Sequence, residues 1–186
     1  MSTPYFSWAW PVEPGRVPAR EPTFDDLGPF MNQGVGANRT VASASRNGWL
    51  NGNLLRLSSR FAEGAFDFLA PNDRVPHADR SNALWIVSTF DAPAIGRLIG
   101  GVERLLERAR TDPAALAALL DPYDAADIVA ALDASSAAVN DVAMPHGEEE
   151  GDGPVYLFSY LKALLSLLRY AGENELSVVH ANHCHS

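Results

Sequence analysis

Cysteine is almost absent from this chain. Cys184 is the one such residue, so an internal disulfide is excluded and a cytoplasmic setting is the expectation. Lysine is equally scarce: Lys162 stands beside thirteen arginines, and with the many Ala, Asp and Pro residues this bias points to a GC-rich bacterial genome. The first residues show no basic stretch followed by an apolar run, so no signal peptide is expected. The apolar run 154–171 is close to the lower limit of roughly 17–25 residues for a membrane span. It carries Lys162 and Arg169, so no membrane insertion is expected. The signatures of the common enzymes are missing as well. There is no His-Glu-x-x-His, no Gly-x-Ser-x-Gly, no Cys-x-x-Cys and no Walker-type loop. Gly34 and Gly36, followed by Asn38, Arg39 and Thr40, lack the second half of either nucleotide fingerprint, and loop 31–48 reads as a connector. No catalytic residue and no cofactor is expected.

What is present is charge, unevenly placed. Of a net −9 over 186 residues, residues 1–110 hold 12 arginines and 11 acids, whereas residues 111–186 hold 12 acids against Lys162 and Arg169. Asp121, Asp124, Asp127, Asp133, Asp141, Glu148, Glu149, Glu150 and Asp152 fall in a stretch with no Lys or Arg. An asymmetry of this kind can report a partner of opposite sign. Part of it has a local cause, because Asp124 and Asp127 lie near a helix N-terminus, where negative charge is favourable.

Periodicity supplies the elements. Residues 154–171 read as a largely buried helix whose polar positions Ser159, Lys162, Ser166 and Arg169 form one narrow stripe. Pro154 suits its first turn and Gly172 the position just past its end. Residues 176–180 then read as a strand, 84–90 as the best strand in the chain, and 5–10 as a short aromatic strand ahead of a Pro-rich extended arm. Leu50, Leu54, Leu57, Phe61, Ala65 and Phe68 predict an amphipathic helix over 49–70. Asp91 caps a helix over 92–110. Ile95, Leu98, Ile99, Val102, Leu105, Leu106 and Ala109 share its apolar face, and Gly96, Gly100 and Gly101 weaken the helix, for which close approach to a neighbouring backbone is the expected reason. Arg97, Arg104 and Arg108 share a face away from the apolar stripe, with pairing to the protein's own acidic segment, 111–152, as their expected role. Asp112-Pro and Asp121-Pro read as two cap-plus-proline starts of helices 113–120 and 122–139. In the second, Ala125, Ile128, Val129, Leu132 and Val139 are expected to face inward. Residues 144–153 read as an acidic, exposed loop.

One metal-like cluster stands out: His180, His183 and His185, with Cys184 among them. Imidazole and thiolate suit zinc, copper or nickel. In a strand these side chains alternate, so chelation needs a turn at Asn182, and an exposed tail is the plainer reading. The acids 148–152 do not follow a calcium-loop pattern.

Asp121-Pro-Tyr-Asp-Ala-Ala-Asp-Ile-Val-Ala-Ala-Leu132, and Tyr160-Leu-Lys-Ala-Leu followed by Tyr170-Ala-Gly-Glu-Asn-Glu-Leu-Ser-Val-Val179, resemble the YfbM-like family of bacterial proteins. The resemblance covers the last third of the chain. The Ile-Tyr-Pro and Trp features expected between these stretches are missing, and the N-terminal half does not match. It implies an α+β architecture and assigns no catalytic residues.

The sequence therefore predicts a single α+β domain over 1–186, with 1–48 as extended arm and loop and 49–186 as core. A small, mostly antiparallel sheet of about three strands packs against four or five helices. The expected function is non-catalytic: an acidic protein that docks a basic protein partner, foremost a bacterial toxin-immunity protein or inhibitor, with no direct nucleic-acid or membrane binding. The alternative is a small-molecule-binding domain or enzyme using Arg and Gly residues of helix 92–110 and loop 31–48. A deep pocket lined by Arg39, Arg97 or Trp85 would favour that alternative.

Overall fold

The three segments expected as strands form the centre of one sheet. In the computed structural model, which describes residues 5–16, 41–45, 48–69, 77–78, 83–136 and 153–185, this sheet is antiparallel throughout. Its strands are β1 (Tyr5–Val12), β2 (Val41–Ser45), β3 (His77–Ala78), β4 (Ala83–Phe90) and β5 (Ser177–His185), in the order β2-β1-β5-β4-β3. The expected strands make up β1-β5-β4, and two short strands flank them. β2 arises inside the stretch expected to be a loop, and the rest of that stretch before Gly48, with Arg39, lies outside the described residues. β5 extends past His180 to His185, so the segment expected to be an exposed tail is the middle strand of the sheet.

Five α-helices are described: α1 (Trp49–Phe61), α2 (Ala92–Thr111), α3 (Pro113–Ala117), α4 (Ala125–Ala134) and α5 (Gly153–Glu173). Strand alternation gives the sheet two buried faces. Ala9, Phe90 and Val178 join the core built from the helices, while Trp8, Trp10, Val12, Val179 and Ala181 form a second cluster with Val87 against it. The apolar circumference of α5 places Leu157, Phe158, Leu161, Leu164 and Leu168 in the main core, where burial contributes about 25 cal/mol per Å² of apolar surface.

Several helix boundaries differ from the sequence reading, each for a local reason. α1 ends at Phe61, because Ser58 gathers the chain into a turn: its carbonyl accepts from Ala62 N at 2.9 Å and Gly64 N at 3.2 Å, and its hydroxyl from Phe66 N at 2.8 Å. Glu63 and Gly64 are left-handed there, with φ of 51° and 72°. The apolar spacing continues across this turn, which is why one helix was expected. α2 begins where expected, Asp91 Oδ1 accepting from Ala94 N at 3.0 Å. Asp112 caps α3 by accepting from Ala115 N at 3.2 Å, but α3 stops at Ala117. The fourth helix is not opened by Asp121, which sits in a turn with a cis bond to Pro122. Asp124 opens it through a capping box. Its carboxylate accepts from Ala126 N at 2.8 Å and Asp127 N at 3.0 Å, while Asp127 Oδ2 accepts from Asp124 N at 2.9 Å. α4 ends at Ala134, and Val139 lies outside the described residues. Gly172 lies inside α5 rather than beyond it, and Glu175, at φ 55°, turns the chain into β5.

Candidate functional site

The acidic residues of the second half divide in two. Asp121, Asp124, Asp127 and Asp133 are exposed, and none of them is ion-paired among the described residues. Asp141, Glu148, Glu149, Glu150 and Asp152 lie outside the described residues. Of the four that are described, Asp124 and Asp127 are occupied by the cap and Asp121 and Asp133 are not. Val129 lies on the same helix at 43 % exposure, contrary to the inward position expected of it. α4 is seated on α5 by Ile128, Ala131 and Leu132 and by the polar stripe of α5. Lys162 Nζ donates to the carbonyls of Leu132 at 2.8 Å and Ser135 at 2.9 Å, a cation placed at the negative end of α4, and Ser159 Oγ accepts from Ser136 N at 3.2 Å. With its inner surface committed in this way, α4 presents Ala126, Val129, Ala130 and Asp133 outward.

The C-terminal histidines are divided by the strand. β5 runs straight through Asn182, which stands opposite Ser7 and Ile86, so there is no turn at Asn182 to gather a chelate. Among the described residues no group of three His, Cys, Asp or Glu side chains could hold a metal ion. The side chains of His183 and His185 lie outside the described residues. His180 is buried between the sheet and the helices. Its Nε2 faces the Tyr160 hydroxyl at 3.4 Å, and the Phe68 ring meets its edge with centroids 5.0 Å apart. Burial pushes the imidazole down to about 3, and burial raises the Tyr160 phenol above its ordinary range with help from Tyr156, so both are neutral near pH 7. Asn182 Oδ1 accepts from Ser7 Oγ at 2.8 Å and from Asn51 Nδ2 at 3.0 Å. This seam satisfies polar groups that an all-apolar interface would leave stranded. Its chemistry is that of a fixed, uncharged network.

The helix carrying the glycines and arginines borders an open groove of about 470 Å³. Gly96, Gly100 and Arg104 recur at intervals of one turn along its α2 wall, with Arg97 beside them; Ala62–Ala65 form the opposite wall, and Phe68 and Phe90 line it as well. The Phe68 and Phe90 rings meet edge to face at 4.9 Å. The three glycines have different reasons. A Cβ on Gly101 would lie 2.3 Å from Ala65 Cβ, which is the close approach the sequence suggested. A Cβ on Gly96 would meet nothing within 4 Å, and one on Gly100 only Arg104 Nη1 at 3.4 Å. Packing therefore does not require glycine at 96 or 100, although glycine inside a helix costs about 1 kcal/mol against alanine. Of these arginines, one pairs with the acidic segment, as expected, and one with an acid outside it. Arg104 meets Glu63 at 3.4 Å, and Arg108 meets Asp112 at 2.6 Å while lying over the Phe61 ring. Arg97 has no ion pair among the described residues. The side chain of Trp85 lies outside the described residues.

Sequence reasoning overlooked Phe68, Glu63 and Val129 as site residues. The first two reach the groove only because the Ser58 turn brings them back across α2, a long-range consequence with no periodic signal. Fold and surface together define an α+β protein with one antiparallel sheet, a helical layer, a helix whose acids have no ion pair among the described residues, and a groove with arginines on its rim. No family model, curated protein or solved structure matches this chain.

Proposed function

We propose that this is a non-catalytic binding protein that docks a basic protein partner through the outer face of α4 and the acidic segment after it, in the manner of an immunity protein or inhibitor. The observation that supports this is the contrast in charge pairing. Glu63, Glu103, Glu107 and Asp112 each sit beside an arginine, whereas Asp121, Asp124, Asp127 and Asp133 have no ion pair among the described residues. Acids left without a counter-charge create a field that steers a basic partner and raises its association rate. Val129 adds an apolar centre one turn from Asp133, the pattern of an interface core with a charged rim. α4 is held rigidly by Lys162 and its capping box, so little ordering would accompany contact.

The test is capture of a partner from lysate at low salt, its identification, and measurement of its association with the wild type and with Asp121→Lys/Asp133→Lys. These two carboxylates are outside the capping box, so the fold is retained. Slower association by the variant is expected. Equal association would overturn the reading.

A further inference from the structure

We propose that the groove between α2 and the turn at 62–65 binds a small aromatic anion. The site is independent of the docking face, since no residue of α4 lines it. Its volume of about 470 Å³ falls in the range of small-molecule sites, roughly 300–1,000 Å³. Its lining is of two kinds. Half-buried Phe68 offers an apolar surface on which a flat ring would rest, backed by the buried Phe90 and Leu98, and the edge-to-face arrangement of the two phenylalanines is the geometry aromatic groups prefer. Arg97 and Arg104 supply cationic donors, against one carboxylate, Glu63. Arg97 is exposed and has no ion pair among the described residues, and the Arg104–Glu63 contact is long, at 3.4 Å between groups that are 45 % and 85 % exposed. An exposed pair of this kind is weak. An anionic ligand could take Arg104 from Glu63 and reach Arg97 at the same time, and a planar guanidinium offers two parallel donors to a carboxylate or sulfonate.

Gly96 and Gly100 are the second strand of the argument. They weaken α2 without any packing need, and a side chain at either position would project into the groove. Their common effect is to leave the wall of the groove bare, so that a flat ligand can approach the helix backbone.

The folded full-length chain can be titrated with anilinonaphthalene sulfonate, an aromatic anion, and with phenylnaphthylamine, its uncharged counterpart, while amide chemical shifts locate the site. Saturable one-to-one binding of the sulfonate is expected, with shifts centred on 62–65 and 94–100. Arg97→Gln should weaken the sulfonate by at least about tenfold, the loss of one charge-assisted hydrogen bond, and leave the uncharged probe unchanged. Gly100→Leu should weaken both probes, and leucine favours the helix, so this variant remains folded. Absence of saturable binding, shifts centred elsewhere, or a sulfonate affinity indifferent to either substitution would overturn the proposal.

Discussion

α2 and α4 both pack against α5, and both bury an apolar stripe, yet their outer surfaces obey different rules. On α2 the charges are mutually compensated with the exception of Arg97: Arg104 with Glu63, Arg108 with Asp112, Arg110 with Glu107, and Glu103 with Arg169 of α5 at 2.7 Å. On α4 the carboxylates either cap the helix or face water, and Lys162 of α5 is used on the helix's carbonyl end. Compensated exposed pairs contribute about 0–1 kcal/mol each to stability and steer little. Uncompensated charge contributes less than nothing to stability, through self-repulsion, and acts at a distance. The difference separates a surface explained by the fold from one that the fold leaves unexplained.

The largest effects should show where the two helices are alike. Leu105→Ala on α2 and Ile128→Ala on α4 remove fully buried side chains, and each should lower stability by about 2–5 kcal/mol in urea unfolding. A near-zero cost for Ile128→Ala would mean that α4 is not seated as described.

Acidification tests the buried seam around His180. The folded His180 is held down to about 3 against an ordinary 6.5, so the unfolded chain takes up a proton that the native protein refuses. Stability should therefore be unaffected by this group above pH 7 and fall by about 1.4 kcal/mol per unit as pH drops below about 6.5. His180→Gln should remove that part of the slope between pH 6.5 and 4.5. An identical slope in wild type and variant would place a charged histidine in the native fold.

Within α2 the glycines should respond with opposite signs. Gly101→Ala forces a methyl to 2.3 Å from Ala65 Cβ and should cost about 1–3 kcal/mol, the range for overpacking. Gly96→Ala meets nothing and should stabilise by up to about 1 kcal/mol. Thermal melts of the two variants should move in opposite directions. The smallest contrast lies on α4. Asp124→Ala removes the cap and should cost about 1 kcal/mol. Asp133→Ala should change stability by no more than about 0.5 kcal/mol, the range for an ordinary surface site.

How far the sequence revealed this follows from which forces were local. α5, β4 and α2 were legible because their apolar runs and caps are encoded within a few residues of one another. β2, a run of small and polar residues, gave no such signal, and its strand identity comes from pairing with β1. The same holds for the polar end of β5, which becomes the centre of the sheet because β1 and β4 supply hydrogen bonds on both sides. The start of α4 turned on choosing between two aspartates, and the capping box selected Asp124 over the Asp121-Pro pair. Val129 was assigned inward by spacing alone. Its exposure reflects how narrow a stripe, Ile128, Ala131 and Leu132, α4 turns toward α5. The groove was half visible, as glycines and arginines on one helix, but its other wall needed the turn at Ser58.

The contrast between the helices is tested most directly by the association rate of a captured basic partner, measured across a salt series. Wild type and Glu103→Gln/Arg169→Gln, which removes a compensated pair without changing net charge, should give the same steep fall with salt. Asp121→Lys/Asp133→Lys should associate more slowly and with a flatter dependence. If that variant follows the wild-type curve, the uncompensated carboxylates of α4 do not steer the partner, and the docking account fails.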